Sequence, residues 1–255
     1  MSAIRSIIRG TGGYLPERVL SNAEMSEIVE TSDEWIQERT GIRQRHIAAD
    51  GELTSDLATH AARDILKNAG MAAEHVDLIV LATTTPDKTF PATATTVQAK
   101  QGLGASAAFD VQAVCSGFLF AAEREADAGD RGVLTHHIRT DGTKCDLLHV
   151  DGGVSSTGTI GHVRMLGNQV FRHAVTNISS AIDAVYAETG LSSDDVDWFV
   201  PHQANQRILN GVAKKMKLDE TKVISTVGDH GNTSAASIPL ALHTAVSDGR
   251  IDPGH

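Results

Sequence analysis

Apolar positions along this chain fall into two alternating rhythms. Unbroken apolar runs at 76–82, 107–111 and 196–200 predict strands, and the early Asp of the first is compatible with a strand buried on both faces. A further short strand is expected at 4–9, closed by Gly10, Gly12 and Gly13. Between these runs, Leu57, Ala61, Ala62, Ile65, Leu66 and Ala69 recur at helical spacing, with Gly70 placed as a C-cap. Ser21 and Glu24 have the spacing of a capping box; Thr31 and Glu34 repeat it, and Gly41 is placed to end the second helix. Pro91 is suited to open a helix over 92–103. Further helices are predicted over 168–189, 206–216 and 235–247. Strands alternating with helices argue for an α/β fold with largely parallel sheets.

An internal echo refines this picture. Residues 70–80 (GMAAEHVDLIV) and 190–200 (GLSSDDVDWFV) match at four of eleven positions with a constant offset of 120. Each copy follows an amphipathic helix and leads into an apolar run. Two similar α/β halves, with a site where they meet, are one reading; the shared grammar of helix–loop–strand units is the other. One stretch breaks the pattern. The apolar helix begun by Phe118, Leu119 and Phe120 gives way within two turns to the charged run Glu123–Asp130, as though truncated, and the sequence after Ile251 leads towards a strand that does not follow.

Composition excludes several classes. At 255 residues with 41% apolar content, the chain can bury a sizeable core. Its net charge of −10 is unsuited to sequence-independent nucleic-acid binding. No apolar run is long enough to span a membrane and no secretory signal is visible, so a cytoplasmic setting is expected. Two cysteines, Cys115 and Cys145, imply no disulfide framework.

Three residues stand at element ends where chemistry is expected. Cys115 follows a strand and precedes a helix, and a helix N-terminus favours a thiolate. The alternative is a buried, inert cysteine. His202 ends the 196–200 run, where α/β folds place ligand sites. Asn232 lies in a loop of small and hydroxyl residues before a helix. A cysteine, a histidine and an asparagine of this kind would supply a nucleophile and two hydrogen-bond donors, although spacing alone does not bring them together. Cys145 sits in a polar turn without such a frame. His136 and His137 are adjacent, which suits no metal site, and Gly10–Gly13 is not a dinucleotide-binding loop.

Four segments carry a resemblance. Thr31-Ser32-Asp33-Glu34-Trp35-Ile36 with Arg39-Thr40-Gly41-Ile42, Ala113-Val114-Cys115-Ser116-Gly117-Phe118, Val200-Pro201-His202-Gln203-Ala204-Asn205 and His230-Gly231-Asn232-Thr233-Ser234-Ala235-Ala236-Ser237 occur in the order found in β-ketoacyl-[acyl-carrier-protein] synthase III. The chain resembles that family, the initiating condensing enzymes of bacterial fatty-acid synthesis, through nearly its whole length. The resemblance implies a thiolase-like fold of two similar α/β halves in a five-layered arrangement. These would be 1–165, truncated after about 122, and 166–255, with the last strands absent.

By the same resemblance, Cys115 is the acyl-accepting nucleophile, and His202 with Asn232 serves malonyl decarboxylation. Thr31, Trp35, Arg39, Gly167 and Asn205 contact coenzyme A, which enters as a thioester substrate; no permanently bound cofactor and no metal are implied. Phe90 reaches the acyl pocket of a second copy in a homodimer, while Met165 and Phe171 line the tunnel. Arg172, Arg207, Lys214 and Lys215 would meet acyl carrier protein, the alternative being solvated helix faces. The family carries a long segment between Ala121 and Glu123, and a final Gly-rich turn, that this sequence lacks. A related condensing enzyme of secondary metabolism, or a non-catalytic remnant that binds a carrier or partner, are the competing readings.

Overall fold

The structure, a computed structural model, describes residues 6–104, 106–122, 132–252 and 254. The first layer is a small antiparallel ladder. Strand β1 (Arg18–Ser21) pairs with β2 (Gln44–Ile47), Arg18 opposite Ile47 and Ser21 opposite Gln44. Two helices fill the connection. The expected capping box opens α1 (Asn22–Ile28): Glu24 N–H donates to Ser21 Oγ, and Ser21 N–H donates to Glu24 Oε2 at 2.8 Å. Helix α2 (Asp33–Thr40) starts one residue later than Thr31 as cap would require. Ser32 is the cap, accepting from Trp35 N–H at 3.1 Å, and Gly41 ends the helix at φ 77°.

A βαβ unit follows. Helix α3 (Thr54–Asn68) leads to β3 (Leu78–Ala82), α4 (Thr93–Lys100) and β4 (Ala107–Val111), with β3 and β4 parallel and Ala82 level with Val111. No side chain of the chain preceding α4 caps it. Asp110 of β4 does so from the neighbouring element, accepting the Thr93 and Ala94 N–H groups at 2.7 and 2.8 Å. That tie fixes the end of β4, from which the chain runs into a tight 3-10 turn, Val114–Ser116, and helix α5 (Gly117–Ala122).

The second part of the chain opens with an exposed hairpin, β5 (Leu148–Val150) against β6 (Val163–Met165). Helix α6 (Gly167–Thr189) packs on α7 (Gln206–Met216), and α8 (Val227–His230) and α9 (Ser237–Ser247) complete it. The apolar stripe of α7 supplies Leu209, Val212 and Ala213, all buried. Ile224, Ala241 and Ala245 form a buried cluster on which Trp198, Val200 and Ile251 pack.

Several expectations are corrected. The described strands form three two-stranded sheets, only one of them parallel. β3 is half-buried at all five positions, not buried on both faces, because β4 is its one partner among the described residues. The 196–200 run makes a single parallel bridge, Phe199 with Val223, instead of a strand. Residues 6–9 join no ladder, and 4 and 5 lie outside the described residues, as does the whole charged run Glu123–Asp130. The echoed segments do share a local shape: each forms a 3-10 turn, at Ala73–His75 and Ser193–Asp195. Among the described residues no helix is long and apolar enough to cross a membrane.

Candidate active site

The turn after β4 is held in an unusual conformation. Val114 has φ 46°, a left-handed backbone that a β-branched residue rarely adopts and that persists only where its surroundings enforce it. The enforcing neighbour is a second 3-10 turn, Ser234–Ala236, whose first residue is also left-handed at φ 51°. Gly117 allows the two turns to meet. A Cβ there would lie 2.8 Å from Ala82 Cβ and 3.0 Å from Ala235 Cβ, closer than side chains approach without displacement.

This packing places Cys115 Sγ 3.8 Å from Ser234 Oγ. Ser234 also orients Asn232: its N–H donates to Asn232 Oδ1 at 3.0 Å, which occupies the amide oxygen and leaves the NH2 group as the donor Asn232 offers. Five residues beyond Asn232, Ser237 Oγ lies 2.5 Å from His202 Nδ1. The segment 232–237 therefore ties Cys115, His202 and Asn232 into one site. The sequence predicts these three residues as candidates, and the structure brings them together.

Burial sets the protonation states. It pushes the Cys115 thiol up, outweighing the hydrogen bond from Ser234 and the backbone contribution that favour the thiolate. This corrects the expectation of a thiolate favoured in the resting protein: the helix behind Cys115 has only six residues, and loss of water dominates. Burial also pushes His202 down, from 6.5 to about 4, so its imidazole is neutral at physiological pH.

A stability prediction follows from that shift. Between about pH 6.5 and 4 the unfolded chain protonates His202 and the folded chain does not. Stability therefore rises with pH through this window and is lost as pH falls from 6.5 towards 4, by about 3 kcal/mol for this one group. Urea unfolding at stepped pH is expected to show a shallower acid loss in His202→Gln than in the parent chain. Equal slopes would contradict a buried neutral histidine.

The remaining candidates divide among three places. Trp35, 55% exposed, lines a recess of about 280 Å³ with Glu30, Thr31 and Ser32. Thr31 Oγ1 is buried there without a hydrogen-bond partner among the described residues. Asn205 caps α7 and pins α2 to it: its Oδ1 accepts from Arg207 N–H and its Nδ2 donates to the Arg39 carbonyl, both at 2.8 Å. Gly167 opens α6 next to the exposed hairpin, where Met165 is 60% exposed. Phe171 is half-buried beneath the Arg207 guanidinium, whose Cζ lies 5.5 Å from the ring centroid. Arg172, Arg207, Lys214 and Lys215 are exposed on the packed pair α6 and α7. Phe90 stands 82% exposed. Cys145 is exposed in the turn Gly142–Leu147, which packs on α6. Among the described residues no group of three or more His, Cys, Asp or Glu side chains is arranged to hold a metal ion.

Three residues of this site stand in the segments that carry the resemblance, yet composition and spacing assign them no role. Gln203, Ser234 and Ser237 are fixed by contacts across the fold, and the hydroxyl-rich loop after Asn232 gives no reason to prefer one serine over another.

Comparison with known proteins sets this fold and site among the thiolase-like condensing enzymes, which are acyltransferases. The chain belongs to the β-ketoacyl-[acyl-carrier-protein] synthase III family, the initiating condensing enzymes of fatty-acid synthesis. It is 62% identical to the β-ketoacyl-[acyl-carrier-protein] synthase III of Hyphomonas neptunium, over 98% of this chain and 93% of that protein. It is 51% identical to the enzyme of that name from Rhodospirillum centenum, with the same coverage. Among solved structures, the 3-oxoacyl-[acyl-carrier-protein] synthase III of Aquifex aeolicus superposes with a TM-score of 0.89 at 35% identity, covering 99% of this chain and 93% of that one. Residues 186–255 match the family model for the C-terminal part of 3-oxoacyl-[acyl-carrier-protein] synthase III. The alignment with the Hyphomonas protein spans 299 positions, more than the 255 residues present here, so it opens internal gaps opposite residues that the relative carries.

Proposed function

We propose that the chain condenses acetyl-coenzyme A, or another short acyl-coenzyme A, with malonyl-acyl carrier protein. The products are 3-oxoacyl-acyl carrier protein, carbon dioxide and coenzyme A. In the first half-reaction the Cys115 sulfur attacks the acyl carbonyl; the new thioester forms as the old one breaks, and the thiol proton leaves on coenzyme A. Exchange of one thioester for another is nearly neutral in energy, so the first half-reaction costs little overall, and alignment of the groups lowers its barrier. In the second, carbon dioxide leaves the malonyl group, and negative charge develops on its thioester oxygen. His202 and Asn232 are neutral donors suited to that charge. The enolate carbon then attacks the acyl-Cys115 carbonyl and expels the cysteine thiolate, which takes up a proton from water to restore the resting thiol.

The observation that carries this reading is the tethering of Cys115, His202 and Asn232 by the single segment 232–237. Trp35 and Thr31 at the 280 Å³ recess, with Arg39, Gly167 and Asn205, are assigned to coenzyme A. An exposed indole offers a stacking face for adenine, and an arginine suits phosphate. Arg172, Arg207, Lys214 and Lys215 are assigned to the acidic carrier protein, as a local basic group on a chain of net charge −10. Phe90, with its exposed ring, is assigned to the homodimer contact, and Met165 and Phe171 to the acyl passage. No resident cofactor and a cytoplasmic setting complete the reading.

The test is incubation with acetyl-coenzyme A, followed by peptide mass mapping and then addition of malonyl-acyl carrier protein. One acetyl group on Cys115, discharged as acetoacetyl product with release of carbon dioxide, is expected. Absence of the adduct would leave carrier binding without condensation.

A further inference from the structure

Ser237 is buried at 1% exposure in the first turn of α9, and its hydroxyl sits between two groups. Gln203 N–H donates to Ser237 Oγ at 3.2 Å. That donor cannot turn away. The Gln203 side chain, 1% exposed, donates from Nε2 to the Pro201 and Ile224 carbonyls and accepts from Thr226 N–H, which locks the 201–203 backbone to the 224–226 segment. The Ser237 hydroxyl proton must therefore find another acceptor, since leaving it unpaired in a buried site is costly. His202 Nδ1, at 2.5 Å, is the acceptor that the described residues provide. Were the imidazole proton on Nδ1 instead, it would point at Ser237 Oγ and the serine proton would be orphaned.

We infer that Ser237 is a positioning residue that fixes the tautomer of His202, holding Nδ1 as acceptor and the ring proton on Nε2, the nitrogen left to donate to substrate. This rests on the role proposed above for His202 in decarboxylation. It adds a third layer to the site: Gln203 orients Ser237, Ser237 orients His202, and His202 donates to the developing enolate. The donor role needs an N–H on Nε2, and the neutral imidazole has only one proton to place.

Two measurements test it. In the unmodified protein, 15N NMR of the His202 ring, assigned by its loss in His202→Gln, is expected to show a protonated Nε2 and an unprotonated Nδ1 at pH 7. In Ser237→Ala the two tautomers are expected to mix, and in Ser237→Thr, which keeps the hydroxyl, Nε2–H is expected to persist. Kinetically, Ser237→Ala is expected to release carbon dioxide from malonyl-acyl carrier protein about tenfold more slowly while acetylating Cys115 within twofold of the parent rate. A proton on Nδ1 in the unmodified protein would overturn the inference, as would unchanged carbon dioxide release in Ser237→Ala. Equal loss of both half-reactions would overturn it too. If the unmodified protein releases no carbon dioxide, the proposed function fails, and the ring tautomer still decides the role of Ser237.

Discussion

Replacing Cys115 with serine is expected to reduce condensation by about 10³-fold or more, with the fold intact. The exchange is nearly isosteric and keeps a partner for the Ser234 hydroxyl, now 3.8 Å from the cysteine sulfur. What changes is chemistry. A hydroxyl ionises far less readily than a thiol, so little nucleophile forms in a pocket that already disfavours the anion of Cys115 itself. Any acyl group transferred would also sit in an oxygen ester, which gives up its acyl group to a carbon nucleophile less readily than a thioester. Rapid-quench measurement of acetyl transfer from acetyl-coenzyme A gives the rate of the first half-reaction, and thermal unfolding checks the fold. An unchanged melting midpoint with transfer lost assigns the nucleophile. Acetyl transfer retained in the serine variant would show that the acyl group is accepted elsewhere.

The sequence is most informative where local rules suffice. Helices α3, α6 and α7 fall where apolar spacing places them, because burial of one face is decided within a few residues; of the three, only α7 has a side-chain N-cap, Asn205. Strands are less legible. A strand's status depends on its neighbour, and the 196–200 run finds only a bridge to Val223, although its pattern resembles that of β3. The same limit governs the site. Cys115, His202 and Asn232 are visible as reactive or polar types at element ends. Asp110 capping α4 from a neighbouring strand, Gln203 locking two loops and Ser234 reaching Cys115 are contacts between distant parts of the sequence, which no spacing encodes. The thiol illustrates the cost of reading locally: the helix start near Cys115 suggests a stabilised thiolate, while its burial, which belongs to the whole fold, pushes the other way.

His202→Ala is expected to separate the two half-reactions. Acetylation of Cys115 should persist within a few-fold, because no described hydrogen bond joins His202 to the sulfur and Cys115 is held by Ser234. Carbon dioxide release from malonyl-acyl carrier protein should fall by about 10²–10³-fold, the usual loss when one donor to a developing oxyanion is removed. The pH profile supplies a second readout. His202 titrates at about 4 because it is buried, so above that value it acts as a neutral donor and its state does not change near 6.5. Decarboxylation by the unmodified protein should therefore show no inflection near pH 6.5 arising from this residue. An inflection there that vanished in His202→Ala would mean that the ring gains or loses a proton during catalysis, contrary to a fixed neutral donor. Unchanged carbon dioxide release in the variant would remove His202 from the reaction altogether. Loss of acetylation in step with decarboxylation would instead place its effect on the shared architecture of the 201–203 and 232–237 segments.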